Sequence, residues 1–239
     1  MTKSAELQIT SDQVYGLSDQ HIYYLANGQG VHLGMINAFE QLQNAAATAG
    51  FNLQIASGFR NFERQLALFE AKILGQRPVK DRANQPIDCS SLSPLEQIKA
   101  VMLFSALPGA SRHHWGTDID VYDPTLQQHD LQLEPWEYQS GGPQAPLASW
   151  LTNNMHLFGF YRPYDRYRSG VSEEPWHLSY APLSHLYMQA FQVDTLAAIL
   201  DNADLVCKQA LLANLTELCQ QFVFNINTPD TSLCGESYA

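Results

Sequence analysis

The chain has 239 residues, 45% of them hydrophobic, enough to bury a full core as one domain with or without an appendage. Thirteen basic residues against 24 acidic ones give a formal net charge of −11, which speaks against non-specific binding to nucleic acid or to an anionic membrane surface. No apolar run is long enough to span a bilayer.

Residues 1–34 are polar and read as irregular. Their opening stretch, MTKSAELQITSDQ, lacks the apolar segment of a secretory signal, so the expected compartment is the cytoplasm, or the periplasm if a leader has been removed. From Met35 the pattern turns helical: Met35, Phe39, Leu42 and Ala46 form a stripe, with Gly50 as the C-terminal cap. Leu53 and Ile55 then alternate with polar neighbours as in a strand leading to Ser57-Gly58-Phe59-Arg60. A second helix places Phe62, Leu66, Phe69 and Ile73 on one face, and residues 76–92 read as an exposed loop.

Ser93, Pro94 and Glu96 make a helix start, with a Ser cap, Pro at the first position and Glu three after the cap. That helix is expected to reach Leu107, where Pro108-Gly109 stops it. Asp118, Asp120 and Tyr122 alternate with Ile119 and Val121, so the two carboxylates should share one face of a short strand. Residues 123–146 form a long connection, followed by a helix from Pro146 to His156, a strand from Phe158 to Tyr161 and another from Trp176 to Tyr180. Beyond Pro182, Leu211, Leu215, Leu218 and Phe222 sit at helical spacing, and a loose tail is expected from about Asn227.

Two patches carry chemistry. In Ser111–Asp120, SRHHWGTDID, His113 and Asp120 offer an imidazole and a carboxylate suited to a divalent metal such as zinc, with Gly116 easing the turn between them. The second patch, Glu174-Pro175-Trp176-His177, adds another imidazole and a carboxylate free to act as a base. Cys89, Cys207, Cys219 and Cys234 show no metal-binding spacing and read as free thiols, with a disulfide to Cys234 open if the protein is exported.

Together Ser57-Gly58-Phe59-Arg60, Ser111-x-His113-x-x-Gly116-x-x-x-Asp120 and Glu174-x-x-His177, in this order, resemble the zinc D-alanyl-D-alanine carboxypeptidases and dipeptidases of bacterial cell-wall metabolism. The resemblance covers residues 35–182. It implies one zinc ion per chain on His113, Asp120 and His177, Glu174 as catalytic base and Arg60 as substrate-stabilising cation. It also implies substrate contacts from Ser111 and Gln65. Asp118 departs from the pattern, since many members carry a small apolar residue there, and leaves two candidate metal-binding carboxylates.

The simpler readings run beside these. His114 reads as a packing residue rather than a ligand, and His21, His32, His129, His156 and His185 as surface or satisfied structural histidines. Trp115 and Trp176 read as core residues, one of which could line a cleft. Asp123 before Pro124 reads as a turn residue.

The expected fold is α+β, a small, mainly antiparallel sheet flanked by helices. Residues 1–182 would form the catalytic domain and 183–239 a helical extension packed on it. The expected activity is zinc-dependent removal of a C-terminal D-amino acid from a peptidoglycan peptide or muropeptide. L,D-carboxypeptidase or D,D-dipeptidase action is the alternative among enzymes, and a non-catalytic zinc-containing binding module the alternative of another class. The sequence leaves the oligomeric state open.

Overall fold

A computed structural model of the protein describes residues 8–127, 129–230 and 233. The segment read as irregular holds structure: α1 (Ser11–Val14), capped by Thr10, then an antiparallel hairpin of β1 (Ile22–Tyr24) and β2 (Gly30–His32). Val14, Tyr15 and Val31 are buried. The reason is tertiary. The Gly30 carbonyl accepts from Phe59 N at 2.7 Å, and His32 N donates to the Gly116 carbonyl at 2.8 Å, so the hairpin is held by distant loops rather than by its own pattern.

The predicted stripe forms α2 (Ile36–Thr48), with Phe39, Leu42 and Ala46 buried. After β3 (Gln54–Ser57), Asn61 caps α3 (Phe62–Ile73) by accepting from Arg64 N, a contact worth about 1 kcal/mol. The next helix, α4 (Pro94–Met102), has the expected capping box at Ser93 and Glu96 but stops short of Leu107. Its end tightens into Leu103 N–Ala100 O and Phe104 N–Val101 O bonds, while the Leu103 carbonyl accepts from Ser172 N of a distant loop. That external partner ends the helix before the proline does.

There follow β4 (Asp118–Tyr122), α5 (Pro135–Tyr138), α6 (Ala145–Asn154), β5 (Phe160–Tyr161) and β6 (His177–Tyr180). The chain then continues into α7 (Ala181–Ala190), α8 (Val193–Asn202), α9 (Lys208–Ala213) and α10 (Leu215–Leu218). The four-stranded sheet has the order β3-β4-β6-β5, antiparallel throughout. Helices with small antiparallel sheets make the fold α+β. Among the described residues no helix is long and apolar enough to cross a membrane.

Period-two alternation separates the two faces of this sheet. Ile55, Ile119, Val121, Leu178 and Phe160 pack with Phe39, Leu42, Leu147 and Leu151 of α2 and α6. The opposite face carries Asp118, Asp120, His177 and Ser179, all buried. A second core joins α1, α3 and α4 to Leu196, Leu200, Leu211, Leu215, Leu218 and Phe222. The polar face of the sheet therefore lies between two apolar cores.

Near the end of the described chain, Asn227 is tied by its N–H to Pro163 O at 2.8 Å and by its amide to Arg162 O at 3.0 Å; most of the expected tail beyond it lies outside the described residues. Cys89, Cys207 and Cys219 are free; Cys89 and Cys219 are buried and Cys207 is half-buried. Cys234, and with it the disulfide left open there, lies outside the described residues.

Candidate active site

The register of β4 and β6 builds the centre of the site. Asp120 pairs with His177, and Asp118 pairs with Ser179, so these side chains stand on one face of neighbouring strands. His113 arrives from a single 3-10 turn, Arg112–Trp115, closed by Gly116 in the left-handed conformation (φ 66°). A side chain at Gly116 would collide with Ile22 and with the His32 backbone, so only glycine permits this approach.

One donor atom each from His113, Asp120 and His177 lie within 4.8 Å of one another. His113 Nε2 is 3.4 Å from Asp120 Oδ2, and His177 Nδ1 is 3.1 Å from Asp120 Oδ1. The second contact lacks hydrogen-bond geometry, leaving Asp120 Oδ1 and His177 Nδ1 buried without a partner. Buried polar atoms are nearly always paired. Two orphans facing one another in a His-Asp-His set fit a divalent cation such as zinc.

The far side of each imidazole is fixed. His113 Nδ1 contacts the Gly58 carbonyl at 2.9 Å, and His177 Nε2 contacts Asp118 Oδ1 at 3.0 Å. Such outer partners set the tautomer and aim of a metal-binding histidine. Asp120 faces the donor cluster, and Asp118 stands behind His177. Asp118 also accepts from Arg112 Nε at 2.7 Å and from Thr117 Oγ1 at 2.8 Å. Arg112 in turn donates to Ser179 Oγ at 2.7 Å and Tyr161 OH at 3.1 Å.

Charge follows this geometry. Burial opposes protonation of His177, but Asp118 and Asp120 outweigh it and raise its pKa to about 9. Burial likewise opposes ionisation of Asp120, yet His113 and His177 hold its carboxyl well below the usual range. His113 is lowered by burial and by Arg60. Glu174, with Oε2 3.5 Å from His177 Nδ1, is pushed up to about 7, chiefly by burial and further by Asp120. A carboxylate poised near neutrality can both take and return a proton.

Arg60 enters the same cleft, of about 520 Å³, together with Ser111, Tyr164 and Trp176. Its Nη1 donates to Gln65 Oε1 at 3.0 Å, while its buried Nε has no partner. Gln65 itself is buried, and its amide nitrogen donates to Ala106 O at 2.7 Å. Its amide thus holds both Arg60 and the 106 turn.

His114 packs as expected, between Arg60 O at 2.6 Å and Gly109 N at 3.0 Å. His21 and His32 are buried rather than surface residues. Trp115 is a core residue stacked on Tyr187, whereas Trp176 packs on Tyr138 and also lines the cleft. Sequence reasoning missed Arg112, Lys72 and Tyr164. The Tyr164 ring meets His177 edge-on at 5.0 Å and its carbonyl accepts from Glu174 N. Only the unusual Asp118 hinted at a buried cation nearby.

The loops at 76–92 and 123–146 meet at the rim, where Glu134 takes Lys80 and, at 2.9 Å, Asn84. A family model described as VanY, D-alanyl-D-alanine carboxypeptidase, matches residues 29–183, which include every motif above. The chain belongs to this VanY carboxypeptidase family.

An uncharacterized protein of Haemophilus influenzae is 36% identical over 121 residues, 49% of this chain and 92% of that protein. A D-alanyl-D-alanine carboxypeptidase of Enterococcus faecalis is 26% identical over 165 residues, 68% of this chain and 52% of the relative. The fold matches that of VanYB in complex with D-alanine-D-alanine, with a TM-score of 0.52 and 21% identity over 78% of this chain and 91% of that one. It also matches a VanY variant in complex with Zn(II), with a TM-score of 0.51 and 22% identity over 74% of this chain and 91% of the other.

Proposed function

We propose that this VanY-family chain is a zinc-dependent carboxypeptidase that removes the C-terminal D-amino acid from peptidoglycan-type peptides ending in D-Ala-D-Ala. The observation that carries the reading is the meeting of a His113, Asp120 and His177 donor set with Glu174 and Arg60 in one cleft. Glu174 and Arg60 are what a binding module would have no need to keep there. Zinc held by the three donors would supply a Lewis acid and a water made acidic enough to ionise near pH ~7.

The chain's own residues do the rest. Glu174, beside the donor set, takes the proton of the attacking water and returns it to the departing amine. Arg60, held by Gln65, turns a permanent positive charge toward the carbonyl oxygen as it gains charge. Ser111 on the cleft wall contacts the peptide. Residues 1–182 carry this chemistry, and helices α7 to α10 close the core behind it.

The test combines zinc content with turnover. Zinc-loaded protein incubated with a D-Ala-D-Ala-terminated pentapeptide, the corresponding tetrapeptide and free D-Ala-D-Ala should release D-alanine chiefly from the pentapeptide, read by mass spectrometry. Glu174→Gln should retain zinc and lose at least ~10²-fold in turnover. Loss of zinc would make Glu174 a ligand, and full activity would remove it from the mechanism. Preference for the tetrapeptide or the free dipeptide would reassign the activity as L,D-carboxypeptidase or D,D-dipeptidase. No product from any of the three would leave a binding module.

A further inference from the structure

Basic residues are scarce here, 13 in the whole chain, yet Arg60, Lys72, Arg77, Lys80 and Arg112 all line the one cleft. Asp118 neutralises Arg112 and Glu134 neutralises Lys80. Lys72 has no such partner. Its ammonium donates to Ser105 Oγ at 2.6 Å, and among the described residues no carboxylate lies within ion-pair distance of it. One hydroxyl satisfies only one of three N–H donors. The half-buried ammonium therefore has donors left for an anion that enters the cleft.

Lys72 shares its cleft with Arg60, Glu174 and the three metal-donor residues. Lys72 sits in the last turn of α3, whose first residue follows closely on Arg60. A rise of ~1.5 Å per residue puts Lys72 roughly 15 Å along the axis from Phe62 at the start of α3, yet Arg60 and Lys72 line the same cleft. Arg60 stands at the donor cluster, beside the bond to be cut. Lys72 faces the same cleft from the other end of the helix. Burial lowers the Lys72 pKa while the Glu174 carboxylate opposes that shift, so the ammonium already feels the catalytic end of the cleft.

We infer that Lys72, with Ser105, is the specificity determinant that receives the free α-carboxylate of the substrate's terminal residue. The inference rests on the carboxypeptidase reading and gives a physical reason for cleavage at the chain end: an internal peptide bond offers Lys72 no charge. Lys72 is a positioning residue in this account. It fixes the register of the peptide and leaves bond cleavage to Glu174 and Arg60.

The test measures binding without turnover. Zinc-loaded Glu174→Gln protein is titrated calorimetrically with N-acetyl-D-alanyl-D-alanine and with its C-terminal amide. The acid should bind at least ~10-fold more tightly than the amide, and adding Lys72→Met should erase that preference while leaving amide affinity unchanged. Lys72→Arg should keep most of it. In otherwise wild-type protein, Lys72→Met should raise KM for the acid far more than it lowers kcat. Persistence of the acid preference in Lys72→Met, or its absence in the parent, overturns the inference. Should Lys72→Met fail to fold, Lys72→Gln, which keeps a donor for Ser105, carries the same comparison. Failure of wild-type protein to cleave the acetylated dipeptide would count against the carboxypeptidase reading instead, and the binding comparison would still judge Lys72.

Discussion

Asp118 accepts from Arg112 and from the outer nitrogen of His177 through the same oxygen, so losing it releases two buried partners at once. Asp118→Asn should therefore still take up zinc, but about 10–100-fold more weakly, as for other residues that orient a ligand from behind. His113→Ala, His177→Ala and Asp120→Asn should lose most of the metal in elemental analysis. Retention by all three would end the assignment. His177 also sets a pH signature. Without metal its proton persists to about pH 9, so zinc uptake at pH 7 should expel about one proton, measurable by calorimetry in buffers of different ionisation enthalpy. The release should fade above pH 9. In the metal-free protein the raised pKa contributes stability in full below 6.5 and loses it as the pH climbs through about 9. Arg60→Ala should lower kcat by ~10²–10³-fold, and Arg60→Lys should recover only part of that. At this scale the sequence was informative where chemistry is written in spacing, as in His113, Asp120, Glu174 and His177. It was silent on Lys72 and Tyr164, whose importance comes from contacts with residues far away in the chain.

Strands β4 and β6 were legible because alternation forces polar and apolar side chains onto opposite faces, and that face contrast is what aims Asp120 and His177 together. The hairpin β1–β2 was not legible, since Ile22-Tyr23-Tyr24 and Gly30-Val31-His32 carry no contrast of that kind. Its stability comes from where it docks. Gly58 is one docking point: a Cβ there would lie 2.2 Å from the Gly30 carbonyl oxygen. The same residue's own carbonyl meets His113 Nδ1. Gly58→Ala should thus destabilise the protein by about 1–3 kcal/mol through overpacking, and should lower zinc affinity in the same variant. Thermal melts with and without zinc would show both effects. An unchanged affinity would mean that the hairpin and the metal site are mechanically independent.

For the molecule as a whole, the helices after Pro182 complete a core that begins at α1, with Leu196, Leu200, Leu211, Leu215 and Leu218 buried alongside Tyr15, Phe69 and Ile98. Phe222 and Val223 even reach the cleft wall. A protein ending at 182 should accordingly fail to melt cooperatively and should be cut rapidly by protease, although every catalytic motif remains in it. Helical spacing marked only the stretch from Leu211 to Phe222; what it packs against could not be read from it, because a stripe of leucines does not name its partner. The charge arrangement has a consequence of its own. A chain with a net charge of −11 presents an anionic peptide with repulsion at a distance and attraction only within the cation-lined cleft. Electrolyte screens the distant field first, since the Debye length shrinks from ~30 Å at 0.01 M to ~10 Å at 0.1 M. Capture of such a peptide should therefore quicken with added salt over that range in stopped-flow traces, against the habit of oppositely charged partners, whose encounter slows. A rate that falls from the first addition would mean that the positive field of the cleft extends past its mouth into bulk solution.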